Sequence, residues 1–155
     1  MLELSLVLLL IALMSGLVAP RLWSRLINDP LESSGRRLAG SIGQAGDLAC
    51  REQRPVRLRL VGGTHVLLED PASGKPFAHF DYIFPPEVVL RDFVALAGSR
   101  STDEPQLLFS PKGTVGAATL TLADRRGRRL LLELEPFLGT VSLRRQDGRP
   151  LAPAL

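Results

Sequence analysis

Few side chains in this 155-residue chain are of a type and spacing that could do chemistry. Ser73-Gly74-Lys75 resembles a fragment of a phosphate-cradling loop. However, no glycine stands upstream at P-loop spacing, and Pro76 sits where a Ser or Thr would bind magnesium. The stretch reads as an ordinary loop. His65 and His79 fall on neighbouring expected strands, with Asp70 and Asp81 near them. Two imidazoles are little material for a metal centre, and each reads as a strand-face residue. Glu133 and Glu135 alternate along one strand and point the same way, so they are expected to pair across to Arg128 or Arg144 on a solvated face rather than act as an acid/base couple. Cys50 is the single cysteine; it excludes an internal disulfide framework and any multi-cysteine zinc site, and reads as a small packed residue. Neither a G-x-S-x-G elbow nor an H-E-x-x-H helix is present. The expectation is a protein that is not an enzyme, with no catalytic residue, no metal and no cofactor.

Charge and composition narrow the partners. The net charge of +3 is uneven: from Asp124 onward seven arginines face four acids, while the preceding residues balance to zero. Arginine dominates the basic set, which reads as the signature of a GC-rich coding genome before phosphate recognition. Aromatic residues make up only 5%, poor for a protein that stacks on bases. The 45% hydrophobic and 23% charged content excludes a disordered chain, and the length fits one domain or a small domain with an appendage.

These residues must be positioned by two kinds of element. Leu4 to Ala19 is a run of sixteen residues without a charge, about 24 Å as a helix at ~1.5 Å per residue. It has no polar face, which argues against a buried core helix. No Lys or Arg precedes it, which argues against a cleaved secretory signal. An uncleaved membrane anchor remains, formed by Leu4, Leu6, Leu8, Leu9, Leu10, Ile11, Leu13 and Leu17. Glu3 stands at its edge, where a carboxylate is costly unless a partner charge meets it. Next, Leu31, Leu38, Ile42, Ala45 and Ala49 form one stripe at helical spacing, so a helix is expected over Leu31–Gln53, capped by Asp29, opened by Pro30 and ended by Pro55. Four glycines lower its intrinsic propensity, so it needs a packing partner.

From Val56 the period changes to alternation. Strands are expected at Val56–Val61, Thr64–Glu69, Phe77–Phe84, Glu87–Leu90, Leu107–Phe109, Ala117–Ala123, Arg128–Glu135 and Val141–Arg145. Gly62-Gly63 and Arg126-Gly127 provide turns, and Ala97–Pro105 reads as a polar projecting loop.

Leu2-Glu3-Leu4, the apolar run behind it and Pro20 seventeen positions after the glutamate resemble the N-terminal helix of type IV pilins and type II secretion pseudopilins. Further along, Phe109-Ser-Pro-Lys-Gly113 with the alternating Ala118–Leu122, and the closing LELEPFLGTVSL over Leu132–Leu143, are similar to the C-terminal strands of the H-type minor pseudopilins. Many relatives carry an Arg after the last turn glycine, where this chain has Thr140 after Gly139. The calcium loop of major pseudopilins has no counterpart.

The resemblance implies an α+β fold: a long N-terminal transmembrane helix packed on a C-terminal antiparallel β-sheet or β-sandwich domain, pilin-like. Residues 1–20 would be the membrane half of that helix, 21–54 its amphipathic periplasmic half and 55–155 the β-rich domain. In the family, a prepilin peptidase cuts after a leader glycine and the new N-terminus is methylated. The glutamate, Glu3 here, then neutralises the terminal amine of a neighbouring subunit, and the proline, Pro20 here, kinks the helix. The basic leader is absent from this chain, and Arg21 and Arg25 by themselves would draw the C-terminal bulk to the cytoplasm. The start is therefore expected upstream of Met1.

The implied function is that of a minor pseudopilin: a structural subunit of the type II secretion pseudopilus, supporting protein export across the outer membrane. It would be held by lipid in the bacterial inner membrane as a single-pass protein with its domain in the periplasm. Its partners would be other pseudopilins and the inner-membrane assembly platform. The alternative is a minor pilin of a type IV pilus that binds DNA in natural transformation through Arg144, Arg145 and Arg149.

Overall fold

In the computed structural model, residues 6–7, 29–95, 104–136 and 140–146 are described. Helix α1 spans Pro30–Glu52. It starts where the sequence demands: Asp29 is extended and its carboxylate accepts the Leu31 N–H at 3.1 Å, while Pro30 fills the first helical position, where no N–H is needed. It ends at Gln53, which takes the left-handed conformation (φ 50) and returns its side-chain amide to the Cys50 carbonyl at 2.7 Å. Pro55 then keeps the chain from continuing. The expected stripe is the buried one. Ser34, Gly35 and Leu48 also lie on it.

Among the described residues eight antiparallel strands follow, in two four-stranded sheets. One holds β1 (Val56–Val61), β2 (His65–Glu69), β3 (Pro76–Ile83) and β5 (Gln106–Phe109) in the order β3-β2-β1-β5. The other holds β4 (Val88–Ala95), β6 (Ala118–Asp124), β7 (Arg129–Leu134) and β8 (Val141–Arg145) in the order β4-β6-β7-β8. The β1–β2 turn ties the sheets together, since Leu90 N–H of β4 donates to the Gly63 carbonyl at 2.8 Å.

One expected strand was drawn too short. Instead of stopping at Leu90, β4 runs on to Ala95. The register slips between Leu90, opposite Leu122, and Asp92, opposite Thr121, so Arg91 is an extra residue in a bulge. A bulge reverses the phase of alternation, which is why Arg91-Asp92 looked like the end of a strand.

The core is shared by all three layers. Leu38 and Ile42 of α1, Leu58, Leu60, Val66 and Leu68 of the first sheet, and Leu120, Leu122, Leu130 and Leu132 of the second are all sealed from solvent. Each such side chain contributes about 1.5–3 kcal/mol by leaving water. The glycines of α1 divide by face. A Cβ on Gly40 or Gly43 would meet nothing within 4 Å. One on Gly35 would lie 2.3 Å from Cδ2 of the buried Leu130 and 3.0 Å from Cδ2 of Leu143, so Gly35 is what lets the helix approach β7 and β8.

Gly40→Ala is therefore expected to add about 0.5–1 kcal/mol of stability through helix propensity. Gly35→Ala should instead lower it, because overpacking costs typically about 1–3 kcal/mol. Thermal unfolding of the two variants checks this; a rise in both midpoints would contradict the packing.

Candidate functional site

Of the residues expected to carry assembly, Glu3 and Pro20 lie outside the described residues. So do the anchor residues Leu4, Leu8, Leu9, Leu10, Ile11, Leu13 and Leu17, and the distal Arg149. Leu6 is described: it is helical and well exposed, as is Val7. Among the described residues no helix is long and apolar enough to cross a membrane.

What is described is the junction where the upstream segment joins the domain. Asp29 does more than cap the helix. Its Oδ2 and Oδ1 receive Arg128 at 2.5 and 3.1 Å, across 99 positions of sequence. Arg128 stands in the β6–β7 turn and also donates from Nε to Asp124 Oδ2 at 2.7 Å. The Asp124 side chain is only 4% exposed, and its other oxygen takes the backbone N–H groups of Arg126 (3.0 Å) and Arg128 (2.9 Å). Arg145 of β8 pairs with Glu32 in the first helical turn and comes within 3.9 Å of Asp29. Two carboxylates in the first turn also suit the positive end of the helix dipole. The start of α1 is thus clamped by arginines from two strand ends of one sheet.

Burial pushes the Asp124 carboxyl up, but the Arg128 side chain, the Arg128 N–H and the Arg126 N–H outweigh it and hold it below the usual carboxylate value. Arg128 is raised in turn by its bonds to Asp124 and then Asp29.

The remaining sequence candidates are placed as follows. Arg144 lies 3.5 Å from Glu133 on the neighbouring strand, the cross-strand pairing expected for it. Arg128 goes to Asp29 and Asp124 instead. Glu135 does not share a strand face with Glu133: β7 ends at Leu134, and the Glu135 N–H closes toward the Thr140 carbonyl at 3.0 Å. Ser73-Gly74-Lys75 is a turn, closed by the Gly74 N–H on the Asp70 carbonyl (2.8 Å) with Gly74 at φ 66. His65 and His79 sit on paired strands, though the His79 side chain lies outside the described residues. Among the described residues no group of three or more His, Cys, Asp or Glu could hold a metal.

Cys50 is exposed rather than packed in the core. Its stripe neighbour Ala49 takes the inward position, and the Cys50 sulfur faces the Phe109–Gly113 turn. That turn explains the motif. Phe109 is fully buried, the Ser110 carbonyl accepts the Gly113 N–H at 2.8 Å, and Gly113 (φ 76) rests on the helix. An added Cβ there would stand 2.7 Å from Cys50 Sγ and 3.2 Å from the Gly46 carbonyl.

A capped helix packed across two four-stranded antiparallel sheets is the architecture of a pseudopilin domain. The solved minor pseudopilin EpsH from the type 2 secretion system of Vibrio cholerae superposes with a TM-score of 0.59 at 16% identity, covering 76% of this chain and 98% of that one. No family model matches the chain. The type II secretion system protein H of Pseudomonas aeruginosa is 31% identical over 154 aligned positions, spanning 88% of this chain and 90% of the relative. The chain belongs to the type II secretion system protein H family, and its role is that of a minor pseudopilin in type II secretion.

Arg128→Ala should cost about 2 kcal/mol, since a buried carboxylate keeps its backbone donors but loses its cation. Because the folded carboxyl of Asp124 is depressed, its contribution is present above the unfolded value near ~3.9 and is lost as pH falls through the folded value. Denaturant unfolding between pH 7 and 3 should show that acid loss in the parent and a shallower one in Arg128→Ala. An unchanged acid limb would contradict the clamp.

Proposed function

We propose that the protein acts without catalysis, as an inner-membrane-anchored subunit whose apolar helix is stored in the bilayer and then transferred into a bundle of like helices. Residues 1–20 form the anchor and the β domain stands in the periplasm. Other pseudopilins are its partners in the filament, and the inner-membrane assembly platform drives its entry. Glu3 is a charge that lipid cannot satisfy. Pairing it with the terminal amine of the neighbouring protomer offsets two desolvation costs at once, and that pairing sets the register of the stack. Pro20 removes one backbone donor and lets the helix bend near the membrane surface. A processed and methylated N-terminus belongs to the same reading.

The observation that carries it is an order along the chain. The chargeless run from Leu4 to Ala19 precedes, in sequence, a helix whose first turn is locked to the domain through Asp29, Arg128 and Arg145. A filament subunit needs such a lock, because a pull on the anchor must move the domain as one body. The DNA-binding alternative draws less support: Arg144 and Arg145 are engaged with Glu133 and Glu32.

Glu3→Ala is expected to leave the protein membrane-inserted at normal abundance while blocking its incorporation into filaments and lowering secretion. Fractionation, filament shearing and a secretion assay on one culture check this. Normal secretion in that variant would contradict the role given to Glu3.

A further inference from the structure

The outer face of the second sheet carries a groove that the helix clamp leaves unused. Its volume is about 620 Å³, within the range of about 300–1,000 Å³ typical of ligand sites. Its shape follows from three side chains in a row. Ala123 lies opposite Arg129 in the β6–β7 register, and the β4 bulge brings Arg91 to the same groove from the other side. A methyl group between two long basic side chains leaves a trough with a cationic wall on each flank. Thr121 and Leu131, directly opposed in register, continue its floor.

The charges of the groove are available. Arg91 and Arg129 are exposed, and neither meets a carboxylate among the described residues; the same holds for Arg125 and Arg126 in the adjoining turn. Asp124, which also borders the groove, is already held by Arg128. Asp92, opposite Thr121, also lines the trough, so a continuous run of negative charge along it is disfavoured, whether phosphate or carboxylate. The trough therefore suits a peptide that places separate carboxylates beside the two arginines and an aliphatic group over Leu131. It is also continuous with a second depression, sharing Gly127, Arg129 and Gln146, which reaches Asp29 and Leu31 at the start of α1. An occupant would thus lie beside the start of α1, the end of the domain nearest in sequence to the expected anchor.

We infer that the Arg91–Ala123–Arg129 groove docks an acidic, extended segment of a neighbouring subunit in the assembled filament. This inference rests on the filament reading above. Fit by charge also implies that the contact forms faster and tighter at low salt than at high salt.

The test is photo-crosslinking in secreting cells, with full-length protein carrying p-benzoylphenylalanine in place of Thr121, and in a separate strain in place of Leu10. The expected result at Thr121 is an adduct with another subunit of the secretion machinery, mapped by mass spectrometry to a peptide containing Asp or Glu. Its yield should fall about tenfold or more in Arg91→Glu/Arg129→Glu, because like charges then face each other. Arg91→Gln/Arg129→Gln should give an intermediate loss. Thermal unfolding of both double variants should match the parent. An adduct only with exported proteins or with nucleic acid would overturn the inference, as would one insensitive to charge reversal. Adducts at Leu10 with none at Thr121 would overturn the groove while leaving the filament reading intact. Absence at both positions would overturn the filament reading and the groove with it.

Discussion

The fold depends on one helix face. Leu38, Ile42, Ala45 and Ala49 are completely removed from solvent, and they are removed by strands of both sheets. Among the described residues neither sheet has another element to cover its inner face at this place, so the α1 stripe is the shared side of two half-cores. The composition of the stripe fits that task. Large side chains fill the middle, while Gly35, Ala45, Gly46 and Ala49 allow strands and a turn to come close. The helix is too rich in glycine to persist alone, and the sandwich is incomplete without it. Each part supplies what the other lacks, which is why helix and domain behave as one body.

Electrostatics then fixes the end of that body at which α1 begins. The arginine excess of the last fifth of the sequence reads, by itself, as coding composition. In the structure part of it is spent at the start of the helix, where Arg128 bridges Asp29 and Asp124 and Arg145 takes Glu32. An exposed ion pair contributes little, but Asp124 is buried and Asp29 nearly so, and their partner is a guanidinium able to hold both at once. The energetic meaning is positional. The clamp does not create the helix; it determines where the helix leaves the sheet.

Much of this was legible in the residues, for local reasons. Asp29-Pro30 announces a helix start and Pro55 its end; alternation marks β1 and β8 to the residue. These signals depend on neighbours in sequence. The extension of β4 was hidden because a bulge at Arg91 breaks the alternation on which a strand is recognised. Cys50 was misplaced because helical spacing alone does not tell the edge of a stripe from its centre. The pairing of Asp29 with Arg128, and the trough around Ala123, join residues far apart in the chain; no local pattern encodes them. The H-class resemblance of the C-terminal strands agrees with the family the chain belongs to, whereas Glu3 and Pro20 rest on the sequence alone.

The central claim is that an uncleaved apolar helix and a β domain travel together as one filament subunit. The most direct measurement is the intact mass of the protein recovered from carbonate-washed inner membranes of secreting cells. The account predicts a membrane-bound species that retains residues 4–19 ahead of the domain. A soluble periplasmic species that begins beyond Ala19 would contradict it.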